Sequence, residues 1–380
     1  RNSMASYSWR EQGNQQKPSL QRKTPKIMNK RKGHPKRPQT WLVVSYIVPN
    51  ESSAKDKDIL EDQLKIFIGS YRSIEVSLGL YIYTNNSQSV TKVAKKLQLR
   101  GIHMHVHETT EEDLTFCHGQ EGEHFRYAFS KLDALEAAKG YFLGYSKEVK
   151  QIILSDIDCY LSEAKPLSSE RLGIDRLQAL DYRSEQTTTA AFDRLMTTIG
   201  MEIGCERKEF AEGEAAWINS GMLVIPTQLL ASVCDKNLTG IQYMRKNKEA
   251  IKECCAGHYG DEILLSAIFN SEKNRRIELT KNEVAQLIWT CKTINPTFHW
   301  ISIFRPPAHL HLPAIKFMES QRKTLKKMVN ARIWKNHRTA LILNTYSVEE
   351  RYVNGMRCRP MKYVLKLLLR VIRFSQVRAA

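Results

Sequence analysis

Apolar residues between positions 41 and 318 fall into two alternating patterns, one typical of buried strands and one typical of amphipathic helices. Short, continuous apolar runs predict strands at 42–48, 78–83, 102–106, 152–154 and 222–225. Apolar residues spaced three and four positions apart predict helices over 54–70, 90–97, 126–139 and 261–269. Because strands and helices alternate, we predict an α/β fold with a mostly parallel sheet and helices on both of its faces.

Two other segments of this region have less regular patterns. Residues 183–216 are polar, which predicts a substrate loop with a short helix near 190–200, and a short strand is expected at 179–180. Alternating histidines on the third predicted strand lie on one of its faces. They form either a metal-chelating stripe or a merely polar face, and we assign no site to them. They are His103, His105 and His107.

The net charge of +18 is concentrated at the two ends of the chain. Residues 1–40 carry +10 and residues 321–380 carry +13, which leaves −5 for the segment between them. A nucleic-acid-binding domain more often carries its positive charge on the folded body, so nucleic acid is not the expected partner. We predict a basic disordered tail over 1–40, a folded domain over 41–318 and a basic helical extension over 319–380.

Residues 362–374 of this extension have an amphipathic pattern. A helix over this segment would carry four cations on one face and Val and Leu side chains on the other. Such a helix either lies in an anionic membrane surface or packs its apolar face on the folded domain, and the pattern fits both equally well.

Cysteine usage and hydropathy together predict a cytoplasmic protein, peripheral at the membrane if the C-terminal helix binds there. The eight cysteines contain no C-x-x-C pair and no regular spacing, which favours free thiols over a zinc site or a disulfide framework. No stretch approaches the roughly 18 apolar residues that a membrane-spanning helix needs, and no secretory signal pattern is visible.

Asp156 and Asp158 directly follow the apolar run 152–154. Open α/β sheets bind their ligands at the carboxyl ends of their strands, where this pair is expected to lie. Two carboxylates one residue apart can hold a hard divalent cation, and the cation can hold a diphosphate. The structural alternative is an Asp turn whose side chains cap the backbone or face water.

Three further motifs follow in the order Asn219-Ser220-Gly221, Asp261-Glu262 and His309-Leu310-His311. Together with the aspartate pair, this order resembles the glycosyltransferases of the GT-A fold, and family 8 most closely. The resemblance covers residues 41–318. It implies a GT-A fold, Mn²⁺ or Mg²⁺ as cofactor, a nucleotide-sugar donor such as a UDP-sugar, a saccharide or lipid-linked acceptor, and retention of the anomeric configuration.

The resemblance also implies a metal site and a diphosphate contact. Asp158 is expected to bind the metal directly, and Asp156 is expected to contact the metal or the donor ribose. The family ends its catalytic domain with H-x-x-G-x-x-K, in which the His binds the metal and the Lys contacts the diphosphate. We favour His311 over His309 as the ligand, although the glycine is absent here and Lys316 comes one residue early.

Asp261 and Glu262 match the family's acid followed by Gln or Glu beside the transferred sugar. In that position Glu262 is a candidate nucleophile, base or stabiliser of positive charge on the sugar. Acids at the start of a helix also suit the helix dipole without any catalytic role.

The remaining candidates would contact the donor. The Asn219-Ser220-Gly221 motif resembles the family's Asn-Ala/Ser-Gly element, and its structural alternative is a turn leading into the strand 222–225. Asp181 resembles the family's donor-sugar ligand. Lys131 lies where the family has a basic residue that reaches the donor, with Arg126 as the competing candidate.

Two other classes of function remain open. Sugar nucleotidyltransferases share this type of sheet but usually carry a glycine-rich loop after the first strand, whereas residues 49–53 contain no glycine. The other class is a nucleic-acid- or membrane-binding protein whose basic ends carry the function and whose folded domain is inactive.

Overall fold

A computed structural model describes most of residues 38–286, a short strand near position 310 and a few residues after it. The predicted helix 362–374, Lys316 and nearly all of the predicted N-terminal tail lie outside the described residues. Those residues are 38–72, 78–97, 99, 103–123, 126–144, 148–161, 175–181, 190–205, 210–255, 257–272, 276–278, 284–286, 309–311, 319, 322–323 and 326.

Strands and helices alternate through the described part of the chain. The strands are β1 (Thr40–Tyr46), β2 (Leu78–Thr84), β3 (Met104–Glu108), β4 (Gln151–Ser155), β5 (Cys159–Leu161), β6 (Leu177–Asp181), β7 (Ile218–Pro226), β8 (Arg276–Glu278), β9 (Val284–Gln286) and β10 (His309–His311). The α-helices are α1 (Ala54–Arg72), α2 (Ser87–Lys96), α3 (Ser130–Gly144), α4 (Ala190–Glu202), α5 (Thr227–Lys246), α6 (Lys248–Cys254) and α7 (Asp261–Ser271).

Seven of these strands form one mixed sheet in the order β3-β2-β1-β4-β7-β6-β8. The neighbours are parallel except for β7, which is antiparallel to both β4 and β6. The chain moves outward from β1 through β2 to β3 and then returns to the other side of β1 at β4. Strand order therefore reverses between β1 and β4, the kind of place where open α/β sheets bind their ligands.

Helices cover both faces of the sheet because successive residues of one strand enter two different cores. In β1, Leu42 and Val44 belong to the core cluster that includes side chains of α1 and α2, whereas Val43 belongs to the cluster that includes side chains of α3, α4, α5 and α7. All three are fully buried, which explains why the sequence of this strand is continuously apolar. The predicted α/β class, with a mostly parallel sheet flanked by helices, is confirmed.

Several boundaries differ from the sequence prediction. The first strand begins and ends two residues earlier than predicted, and the third begins and ends two residues later. The predicted strand 222–225 is the second half of β7, all nine residues of which are buried. Helices α5 and α6 were not predicted, because the buried face of α5 includes Thr227, Asn237 and Gly240 and so lacks a clear apolar stripe.

A second, three-stranded sheet contains β5, β10 and β9 in that order. β10 runs antiparallel to β5 and places His311 opposite Cys159 and His309 opposite Leu161. Because Cys159 directly follows Asp158, this register brings the backbone of His311 alongside the aspartate pair.

The first residues of the predicted C-terminal extension contact α1. The Nζ of Lys326 lies 2.6 Å from Oδ1 of Asp62, and Arg322 is buried. This part of the extension therefore packs on the folded domain. No helix in the described ranges is both long enough and apolar enough to cross a membrane.

Candidate active site

The segment from Asp156 to Asp158 forms the turn between β4 and β5, at the point where strand order reverses. The side chains of both aspartates are partly buried. The backbone N–H of Asp156 donates to the carbonyl oxygen of Gly221, 3.3 Å away in β7. Because β7 runs antiparallel to β4, its first residues lie at the edge of the sheet where β4 ends. The aspartate pair and the Asn219-Ser220-Gly221 motif are therefore neighbours.

Lys131 connects three of the predicted motifs. Its Nζ lies 2.9 Å from Oδ2 of Asp261 and forms an ion pair with Oδ1 of Asp156. It also donates to the carbonyl oxygen of Ser220 at 3.2 Å and to the Ser220 hydroxyl at 3.1 Å. The Lys131 side chain is only 5% exposed, so the ammonium group is enclosed by protein acceptors.

Helix α3 places Lys131 at this edge because its first residue is tied to the end of β1. The hydroxyl oxygens of Ser130 and Ser45 lie 2.6 Å apart. The Ser130 hydroxyl also donates to the carbonyl oxygen of Tyr127 at 2.7 Å. These bonds hold the start of α3 beside the carboxyl end of β1, and Lys131 follows immediately.

The two carboxylates decide the charge state of Lys131. Burial alone would lower the pKa of the ammonium group, but Asp156 and Asp261 outweigh burial and raise it. Lys131 is therefore a permanent cation that offsets part of the negative charge of the site. Arg126, the competing candidate, lies elsewhere, with its guanidinium 3.9 Å from the carboxylate of Glu121.

A row of polar side chains on α7 fixes this helix to β7. Every fourth residue of the helix bonds to every second residue of the segment 216–220, which leads into and begins β7, at donor–acceptor distances of 2.8 to 3.4 Å. Four helical residues rise about 6 Å and two strand residues about 6.7 Å, so the two repeats stay in step. The row thereby holds the first turn of α7 at the edge of the sheet. The pairs are Glu262 with Ser220, Ser266 with Ile218, and Asn270 with Ala216.

Both carboxylate oxygens of Glu262 are in contact with other side chains. Oε1 accepts from the Ser220 hydroxyl at 3.4 Å, and Oε2 lies 3.4 Å from Nε2 of His258. The Glu262 side chain is 16% exposed. This carboxylate is therefore held near Lys131 while remaining partly accessible.

His258 is a residue of the site that sequence reasoning missed. Burial lowers the pKa of its imidazole, but the contact with Glu262 and the charges of Glu262 and Asp261 outweigh burial and raise the pKa above its ordinary value. His258 precedes Glu262 by four residues, a spacing that brings side chains together on a helix. Because α7 begins only at Asp261, that rule does not apply here, and the contact is visible only in the structure.

Asn219 has a structural hydrogen bond inside β7. Its Oδ1 accepts from the N–H of Gly221 at 2.7 Å, and the residue is 1% exposed. The motif that contains Asn219 lies within the strand, which rules out the turn that was its structural alternative. Ser220, by contrast, contacts both Lys131 and Glu262.

Two further predicted residues are located by their backbone. Asp181 ends β6 and pairs with Ile218 after an irregularity in the register, next to the start of the Asn219 motif. His311 lies opposite Cys159, the residue after Asp158. Both backbone positions lie beside the cluster around Lys131.

The ligand chemistry at this edge suits a hard divalent cation. Asp156 and Asp158 offer carboxylate oxygens, the ligands that Mn²⁺ and Mg²⁺ prefer. One oxygen of Asp156 is engaged by Lys131, which favours Asp158 as the direct ligand. In the part of the chain that the structure describes, no three His, Cys, Asp or Glu side chains form a complete metal site. Further ligands would come from the donor, from water, from His311, of which the backbone alone is described, or from residues outside that part.

The histidines of β3 belong to an aromatic row at the edge of the sheet, three strands away from β4. His105 stacks on Tyr141 and Tyr81, with ring centroids 4.2 and 5.1 Å apart, and His107 stacks on Tyr83 at 5.4 Å. Burial lowers the pKa of both imidazoles, that of His105 to about 4. These contacts favour a packing role over metal chelation.

No protein-family model and no curated protein sequence matches this chain. Among solved structures, the galactosyltransferase LgtC in complex with donor and acceptor sugar analogues is 14% identical, with a TM-score of 0.45 over 78% of this chain and 99% of its own. Mouse xyloside xylosyltransferase 1 is 13% identical, with a TM-score of 0.42 over 73% of this chain and 98% of its own. The glycosyltransferase GlyE of Streptococcus pneumoniae TIGR4 is 15% identical, with a TM-score of 0.42 over 80% of this chain and 63% of its own. At these identities the likeness is one of architecture and does not by itself assign an activity.

Proposed function

We propose that this protein is a metal-dependent glycosyltransferase that moves a sugar from a nucleotide diphosphate to an acceptor. The bond between the anomeric carbon and the diphosphate oxygen breaks, and its electron pair leaves with the diphosphate. The acceptor hydroxyl oxygen bonds to the anomeric carbon, and its proton leaves with the nucleotide or passes to solvent. A UDP-sugar donor and retention of configuration are part of the proposal, because the family 8 resemblance implies both.

The observation that carries the proposal is the convergence of three separate motifs on the buried ammonium group of Lys131. An Asp turn would explain Asp156 and Asp158 taken alone. It would not explain why Asp156, Ser220 and Asp261, from three distant parts of the sequence, contact one cation at the switch point of the sheet. A cluster of buried charges at the ligand-binding edge of an α/β sheet is typical of an active site.

The chain's own residues have distinct roles in this proposal. Asp158 and Asp156, with His311 as a further ligand, would hold a divalent cation that supplies positive charge at the leaving diphosphate. Lys131 forms ion pairs with Asp156 and Asp261 and fixes both in place. Glu262, whose carboxylate is already oriented, stabilises positive charge that develops on the sugar ring as the bond to the diphosphate breaks.

The remaining predicted residues act on the donor. Ser220 and Gly221 line the site next to the sugar. Asn219 accepts a hydrogen bond from the N–H of Gly221 and so fixes the backbone of β7 at this point. Asp181 binds the sugar from the end of β6, and Lys316, outside the described residues, contacts the diphosphate.

The acceptor is a saccharide or a lipid-linked saccharide. The proposal that residues 362–374 draw the enzyme to anionic membranes rests on sequence alone, since this segment lies outside the described residues. Co-sedimentation with anionic vesicles, comparing the full chain with a chain that ends at Pro360, tests it. Equal binding of both chains would leave no role for the segment at a membrane.

A donor screen tests the enzymatic proposal. The full chain is incubated with Mn²⁺ and UDP-, GDP- or dTDP-sugars, and release of nucleoside diphosphate is measured. We expect release from at least one donor, loss of release in excess EDTA, and loss in Asp158→Ala but not in Asp175→Ala, a change at an exposed aspartate. Full activity in EDTA would contradict the metal role. Consumption of a UDP-sugar only when pyrophosphate is added, with release of UTP and a sugar 1-phosphate, would identify a nucleotidyltransferase instead.

A further inference from the structure

We propose that His258 is a positioning residue for Glu262, which it holds in the orientation required at the transferred sugar. The inference rests on the proposed glycosyl transfer and adds to it a residue that none of the predicted motifs contains. It starts from the contact between Nε2 of His258 and Oε2 of Glu262, 3.4 Å apart.

Glu262 needs such a contact because its helix fixes only its backbone. The polar row on α7 sets the register of the helix, but the terminal torsion of a glutamate side chain is broad and leaves the carboxylate free to rotate. Contacts from two different segments remove that freedom. Ser220 reaches Oε1 from β7, and His258 reaches Oε2 from the loop before α7.

The imidazole of His258 is itself held in place. Its ring centroid lies 5.7 Å from that of Trp217, which is buried and stacks on Phe192 at 4.7 Å. On the other side, a Cβ atom at Gly260 would be 3.4 Å from Nε2 of His258, so the backbone of the loop is also close. His258 therefore links Glu262 to the packed aromatic side chains of Trp217 and Phe192.

The charges around His258 make the strength of the contact depend on pH. Among the described residues, the charged groups that face it are Glu262 and Asp261 on α7, with Lys131 of α3 beyond Asp261, while Trp217, just before β7, carries no charge. Lys131 offsets Asp261, which leaves Glu262 as the main partner. A protonated imidazole donates a charge-assisted hydrogen bond that is roughly twice as strong as a neutral one.

Kinetics of His258 variants test the proposal in the full-length enzyme. At pH 6.5 we expect His258→Gln to lower kcat about 10- to 100-fold, the size of effect that misplacing a reacting group produces, with the donor KM within about twofold. His258→Phe, which keeps a ring but no donor, should lose more than His258→Gln. The matched control is His118→Gln, at an exposed histidine.

The pH profile separates positioning from a general loss of stability. Because neutral histidine resembles glutamine as an uncharged donor, the ratio of wild-type to His258→Gln kcat should fall as pH rises above 6.5 and His258 loses its proton. A ratio that stays constant across this range, or a kcat that His258→Gln leaves unchanged, would overturn the proposal.

A titration that needs no activity completes the test. The His258 imidazole is followed by NMR, with its signal assigned by its absence from His258→Gln, and its pKa should be lower in Glu262→Gln than in the wild type. An equal pKa in both proteins would overturn the contact itself. If the wild-type enzyme releases no nucleotide from any donor, the proposed function is wrong. A coupling between His258 and Glu262 that the titration still detects would then have no catalytic role.

Discussion

Lys131 and Asp261 form a buried ion pair between two helices, with Nζ 2.9 Å from Oδ2 and each side chain 5% exposed. Taking two charges out of water is costly unless each keeps good partners. Here the ammonium group also contacts Asp156 and Ser220, so most of its hydrogen-bonding capacity is used within the protein. The pair consequently couples the geometry of the candidate site to the stability of the fold.

Replacing Lys131 with methionine should destabilise the protein strongly. The change keeps most of the side-chain volume but leaves Asp156 and Asp261 without their cation, one of them deeply buried. Removing one partner of a buried pair typically costs about 3–5 kcal/mol. Urea unfolding of the metal-free protein, monitored by circular dichroism, would measure the loss in free energy of unfolding.

An exposed lysine on α2, paired with Glu61 of α1, provides the control for this change. Lys92 is 70% exposed and lies 4.0 Å from Glu61, so Lys92→Met should change stability little. The double variant Lys131→Met, Asp261→Asn should recover part of the lost free energy of unfolding, because an uncharged amide then replaces the buried carboxylate. Equal stability of Lys131→Met and Lys92→Met would contradict a structural role for the Lys131 pair.

Glu262→Gln should reduce turnover far more than donor binding. The substitution keeps the shape of the side chain but removes its charge, which matters most when positive charge develops in the transition state. Losing one preorganised electrostatic contact of this kind typically lowers kcat about 10²- to 10³-fold. Steady-state kinetics and donor binding by calorimetry would separate the two effects.

Glu249→Gln, on the exposed surface of α6, is the matched control and should leave both quantities unchanged. Equal losses of kcat and donor affinity in Glu262→Gln would make Glu262 a residue that binds the ground state. A variant with unchanged kcat would exclude Glu262 from the reaction.

The sequence predicts site residues best where they lie directly beside the start or end of a strand or helix. Asp156 and Asp261 could be located because each follows or begins a segment whose apolar pattern is clear. The pattern places Asn219 and Ser220 outside the predicted strand 222–225, with a turn as their structural alternative, yet they lie inside a buried strand. There Asn219 accepts a hydrogen bond from Gly221 and Ser220 bonds to Lys131 and Glu262, and local sequence does not show such bonds.

Long-range contacts account for what could not be predicted. Lys131 could be assigned to the site by resemblance, but its enclosure between two carboxylates depends on the packing of α3 and α7 against one sheet edge. His258 lies before the start of its helix, outside the spacing rules that apply within helices. The row at 262, 266 and 270 has helical spacing, but only β7 shows what those residues bind.

Stability should fall as pH decreases from about 6.5 to about 4, in part because of His105. Burial, with a smaller effect of the neighbouring His107, lowers the pKa of His105 from 6.5 to about 4. The unfolded chain therefore binds a proton at His105 before the folded protein does, and the stability due to the neutral imidazole is lost as pH falls through this interval. His105→Phe keeps a ring in the stack but cannot titrate.

Thermal unfolding between pH 4 and 7.5 tests the role of His105. Carboxylates also titrate in this range, so the informative quantity is the difference in pH dependence between His105→Phe and the wild type. We expect a shallower decline in the variant, whereas His118→Gln, at an exposed histidine, should follow the wild type. Identical curves for His105→Phe and the wild type would show that His105 titrates normally.

Gly79 should tolerate no side chain, because β2 passes directly beneath the indole of Trp41. The two residues are paired in the sheet, and a Cβ atom at Gly79 would overlap three carbons of the Trp41 ring. The ring is held in place, since its Nε1 donates to the carbonyl oxygen of Pro38 at 3.2 Å and it packs edge-to-face with Phe142 and Tyr141. Overpacking of this kind costs about 1–3 kcal/mol, which we expect for Gly79→Ala in urea unfolding.

Gly140→Ala is the matched control for Gly79→Ala, because Gly140 lies on the exposed side of α3 with nothing within 4 Å of the added carbon. That change should stabilise the protein by about 0.5–1 kcal/mol through helix propensity, so the two alanine substitutions should have opposite signs. Combining Gly79→Ala with Trp41→Leu should cost less than the sum of the single changes, since the clash disappears with the ring. Strict additivity would mean that Trp41 does not determine the need for glycine at position 79.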